Sequence, residues 1–179
     1  MKITKKDTNW ISYVGPTDDN RTVGPNDWHA PTNPLDYDDL VKCSDLNDFI
    51  IEGLTIPAGR EDSIDCVRGK RYTIRDCTVH GTITLKGAID GYLIENCVIS
   101  GTIEIGQFDN YWTPHRPPTR HGVIRNVSSP DSTPVRVKLW DATHPLVLNS
   151  KVRVTTMPRW VWLPYFYFCV TLRKITARA

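Results

Sequence analysis

FIIEGLTI (Phe49–Ile56), YTIRDCTV (Tyr72–Val79), YLIENCVI (Tyr92–Ile99) and GVIRNVSS (Gly122–Ser129) can be laid on one another, and LVLNSKV (Leu146–Val152) is a weaker fifth copy. Self-similarity at a spacing of roughly twenty to thirty residues marks a solenoid in which each repeat is one turn. Aligned, the copies give four columns. Ile51, Ile74, Ile94, Ile124 and Val147 are apolar, and Glu52, Arg75, Glu95 and Arg125 are charged. Gly53, Asp76, Asn96, Asn126 and Asn149 come third, and Leu54, Cys77, Cys97 and Val127 are apolar again. A straight strand alternates its faces; this order breaks the alternation at the third column. Asn, Asp and Gly tolerate left-handed backbone angles. The third column therefore predicts a corner between two short strands, with Asp76, Asn96, Asn126 and Asn149 as a structural ladder of stacked side chains.

The charged column alternates in sign. Stacked strands lie about 4.8 Å apart, so opposite charges favour this register and like charges oppose it. A second row lies between the copies: SIDCVRG from Ser63, TITLKG from Thr82, TIEIGQ from Thr102 and TPVRVKL from Thr133. It has the period-two pattern of half-buried strands. The alignment pairs Ile64, Ile83, Ile103 and Val135, then Cys66, Leu85, Ile105 and Val137, with Asp65, Thr84, Glu104 and Arg136 facing outward between them.

These residues resemble a right-handed parallel β-helix of the pectate-lyase-like superfamily over about residues 48–155, with phage virion β-helix proteins among the matching kinds. The expectation is an all-β, single-stranded helix of about five coils. Residues 1–47 are read as an irregular N-terminal arm and cap, and 156–179 as an aromatic and basic C-terminal cap or assembly tail. The fold hosts lyases, hydrolases and inert structural proteins alike, so it does not by itself define an activity.

The resemblance implies one enzymatic site. In those lyases acidic residues bind calcium and an arginine of an RxPxxR segment acts as base. Asp62 and Asp65, with Arg116 and Arg120 of HRPPTRHG, would fill those roles, although the second arginine comes one residue early. Asp65 and Glu104 stand two turns apart, which is poor calcium geometry. Asp90 and Glu104 are further acids a glycosidase could use, but outward acids are also what a soluble solenoid needs. No cofactor and no metal are expected. The histidines form no triad or metal spacing, and Cys77 and Cys97 fall in an apolar column as small hydrophobes.

The chain carries 22 basic and 20 acidic side chains, unevenly placed. Residues 1–110 hold 11 basic and 18 acidic, and residues 111–179 hold 11 and 2. Sequence order in a solenoid is spatial order, so an acidic front and a basic back are expected. No nucleic-acid motif accompanies the basic end. The aromatic stretch from Trp160 is shorter than the roughly twenty apolar residues of a membrane span and contains Pro164.

The function expected is non-enzymatic: a structural protein of a viral (phage) particle, as a capsid decoration or spike, made in the host cytoplasm without a signal peptide. It would self-associate, as a trimer or otherwise, and dock on other virion proteins through its arm and tail. Phe108, Tyr111 and Trp112 of the long insertion and Trp160, Trp162, Tyr165, Phe166, Tyr167 and Phe168 of the tail are the expected contacts. The alternative is a polysaccharide-lyase-like enzyme or a glycan-binding module.

Overall fold

A computed structural model describes residues 9–107 and 117–157. Strands β1 (Ile11–Val14), β2 (Thr22–Val23), β3 (Asp39–Asn47), β4 (Ile50–Glu52) and β5 (Thr55–Ile56) come first. They are followed by β6 (Asp62–Arg75), β7 (Thr78–Val79), β8 (Ile83–Glu95), β9 (Val98–Ile99) and β10 (Thr102–Gln107). The last are β11 (Arg120–Arg125), β12 (Val135–Leu139), β13 (Leu146–Leu148) and β14 (Val152–Thr156). Every pairing among them is parallel. The main path runs β1-β3-β6-β8-β10-β12-β14, and a small separate sheet runs β5-β7-β9. Long parallel ladders with no α-helical crossover among the described residues are what a β-solenoid produces.

Register places one side chain of each turn over the next. Val41, Ile64, Ile83, Ile103, Val137 and Val154 form one stack. Cys43, Cys66, Leu85, Ile105 and Leu139 form a second, also buried. Ile51, Ile74, Ile94, Ile124 and Val147 form a third. The alignment of the second row is thereby corrected. Val137 sits opposite Ile103 and Lys138 opposite Glu104, so Arg136 lies beside Thr102. A shift of two keeps every side chain on its own face, which is why the pattern alone did not expose the error.

The corners fall where expected. Gly53, Asp76, Asn96, Asn126 and Asn149 all have positive φ, between 47° and 66°. The Asn96 amide donates to Asp76 Oδ1 at 3.0 Å, and the Asn126 amide donates to Asn96 Oδ1 at 2.9 Å. Arg75 and Glu52, and Arg125 and Glu95, are ion-paired.

The segment read as an irregular arm is a second correction. From Ile11 onward it contributes β1, β2 and β3 to the main sheet, and Val23, Leu40, Val41, Cys43 and Leu46 are buried. Its prolines and most of its aspartates among the described residues occupy the connections. There Trp10 packs edge-on against His29 and Tyr37, at centroid distances of 5.3 and 5.0 Å, and donates to His29 O.

Candidate functional site

Asp62 opens β6 and Asp65 follows three residues later, with Asp39 of β3 directly beside Asp62 in register. One oxygen from each of these carboxylates lies within 4.8 Å of the others. All three are buried, Asp65 completely. Lys42 Nζ donates to Asp39 Oδ2 at 3.0 Å and also to Asp65 Oδ2. Lys86 Nζ donates to Asp62 Oδ2 at 3.2 Å and Asp65 Oδ2 at 3.1 Å, and Thr84 Oγ1 donates to Asp62 Oδ1 at 2.7 Å. Asp65 therefore sits in a column running Lys42–Asp65–Thr84–Glu104–Lys138. Lys138 and the Trp140 indole close the far end on Glu104, at 2.8 and 3.1 Å.

Three buried carboxylates gathered this closely would repel strongly without countercharge. Two ammonium groups supply it. Between them they bond the Oδ2 atoms of all three carboxylates. The Oδ1 atoms of Asp39 and Asp65 have no partner among the described residues. Two unpartnered carboxylate oxygens in a cluster that already holds two ammonium groups are a poor match to the six to eight oxygens calcium takes. Burial pushes the Asp62 carboxyl above its ordinary value, against the opposing pull of Lys86 and the Thr84 hydrogen bond.

The arginine that the lyase reading requires is elsewhere. Arg120 lies opposite Asp90, which itself lies opposite Lys70. That level is beyond the corner at Arg68 and Gly69, both at positive φ. Arg120 is held there by Asp90 at 3.1 Å, and His121 reaches the same carboxylate at 2.6 Å. These two hydrogen bonds bring the Asp90 carboxyl down to about 2. Asp62 and Asp65 are thus gathered, and Arg120 is not brought to them. Arg116, the insertion aromatics Phe108, Tyr111 and Trp112, and the tail residues Trp160, Trp162, Tyr165, Phe166, Tyr167 and Phe168 lie outside the described residues.

Sequence reading missed Asp39, Lys42 and Lys86 as members of this cluster. Lys42 was hidden because its segment was assigned to the arm; the signal that could have found it is the VKCSD/IDCVR match, which places Val41 on Ile64 and Lys42 on Asp65. Among the described residues no helix is long and apolar enough to cross a membrane. Compared with protein-family models, curated proteins and solved structures, the chain matches none.

Proposed function

We propose that this chain is a non-enzymatic structural module: a right-handed, pectate-lyase-like parallel β-helix of about five coils that serves as part of a larger assembly. A viral particle, with the protein as a capsid decoration or spike, is the setting that suits it best. The observation that carries the non-enzymatic reading is that the acids a lyase or glycosidase would use are already neutralised from turn to turn. Asp62 and Asp65 share Lys86, Asp90 holds Arg120, and Glu104 holds Lys138. A catalytic carboxylate needs a face open to substrate and a geometry matched to it; each of these is instead tied to a lysine or arginine of a neighbouring strand.

Sedimentation velocity of the purified full chain tests the assembly role. A self-associated species, trimeric or otherwise, is expected, and a monomer at all concentrations argues against it. Incubation with acidic polysaccharides, followed by ultraviolet absorbance of unsaturated products, tests the alternative. No product is expected; turnover abolished by Arg116→Ala would establish the lyase instead.

A further inference from the structure

Arg136 of β12 and Arg153 of β14 lie directly opposite each other on adjacent parallel strands. Both are exposed, and neither donates to an acceptor or meets a carboxylate among the described residues. Every other arginine among the described residues meets a carboxylate, from Arg21 on Asp18 to Arg125 on Glu95. Like charges directly opposite each other oppose strand pairing. Among the arginines of the described residues, this pair alone meets no carboxylate.

The pair also lines a cleft of about 700 Å³ shared with Ser100, Ser129, Asp131 and Thr133. That volume lies in the range of small-molecule sites. The cleft is shaped by fixed groups. Asp131 Oδ1 accepts from Ser129 Oγ at 2.6 Å, Thr133 N at 3.1 Å and Thr133 Oγ1 at 2.8 Å. Those bonds bring its carboxyl down to about 2 and hold the turn between Ser129 and Thr133.

We propose that this cleft binds a tetrahedral dianion, phosphate or a phosphate monoester, between Arg136 and Arg153. Each guanidinium presents a planar fork that bonds two oxygens at once. Two stacked forks call for three or four acceptor oxygens and two negative charges. A single carboxylate has too few of both; a phosphate group has enough. The ester would place its organic part toward Asp131 and the Ser129 and Thr133 hydroxyls, whose oxygens can accept from ligand hydroxyls. The site does not depend on the assembly reading.

Isothermal titration of the full chain at low ionic strength tests it, with inorganic phosphate, glucose 6-phosphate and glucose as probes. Saturable one-to-one binding of at least one phosphate probe is expected, with no heat from glucose. Tighter binding of the ester assigns the Asp131 side of the cleft to the organic part, and equal binding assigns the site to the free anion. Arg136→Gln combined with Arg153→Gln should weaken binding at least tenfold. Arg125→Gln, which removes an arginine committed to Glu95, should leave it unchanged. Thermal unfolding gives an independent check: phosphate should raise the midpoint of the wild type and not that of the double variant. Binding that survives the double variant, an equal loss in Arg125→Gln, or no binding of either phosphate probe would overturn the proposal.

Discussion

Asn96 holds φ at 53° and places its amide between Asp76 and Asn126, so one side chain answers both a backbone and a hydrogen-bonding demand. The two demands separate by substitution. Asn96→Gly keeps the left-handed corner and loses two ladder bonds, whereas Asn96→Ala loses the bonds and must also place a Cβ at positive φ. The alanine variant should be less stable than the glycine variant by about 1 kcal/mol in urea denaturation. Equal losses would mean the corner carries no conformational demand. Lys86 makes a different kind of residue-scale argument. It neutralises Asp62 and the fully buried Asp65, with only 19% of its own side chain exposed. Lys86→Met leaves buried charge uncompensated and should cost about 3 kcal/mol. Lys138→Met, at the more open Glu104 pair, should cost clearly less in the same denaturation series.

Strands β8 and β11 meet at Tyr92 and Gly122, which lie opposite each other in register. A Cβ at position 122 would overlap the Tyr92 ring, so the glycine is there for the space above it and not for a turn. Gly122→Ala should destabilise by about 1–3 kcal/mol through overpacking. Pairing it with Tyr92→Leu should recover part of that loss, a coupling a double-mutant cycle would measure. The Tyr92 hydroxyl is buried with no partner among the described residues, and burial pushes its pKa up. Tyr92→Phe should therefore be neutral or stabilising by up to about 1 kcal/mol. A large loss on that change would show that the hydroxyl has a partner after all. At this scale the repeat copies were readable because Ile, Asn and charged columns recur; the Gly122–Tyr92 contact was not, since it joins the first position of two copies and depends on ring size.

Across the whole molecule, the carboxylates respond to acid in two opposite ways. Asp90 is held down to about 2 by Arg120 and His121, and Asp48 is held below its ordinary value by Arg71. Their contribution is present above the ordinary value of 3.8 and is lost as pH falls toward 2. Asp62 is raised by burial, so its folded form binds the proton more tightly than the unfolded chain does. Its ionisation removes stability as pH rises above 3.8. Carboxyl NMR titration should place the Asp90 midpoint near 2 and that of Asp62 above 3.8. Asp62→Asn should abolish its part of the pH dependence; a titration order reversed between the two would refute the burial assignment. What the amino-acid sequence determined by itself was an all-β fold of parallel strands consistent with a solenoid, its inward stacks and its left-handed corners. Those depend on residue type and period, and a chain with this period has few other ways to bury its isoleucines. What the tertiary structure decided was the partner of each outward charge. Sequence period cannot say which turn lies beside which at an irregular connection. A two-residue difference in register moved Arg136 away from Glu104 and onto the level of Thr102 and Arg153. The same long-range pairing brought Lys42 and Lys86 onto Asp65, so the acids that the lyase resemblance would have assigned to calcium hold two ammonium groups.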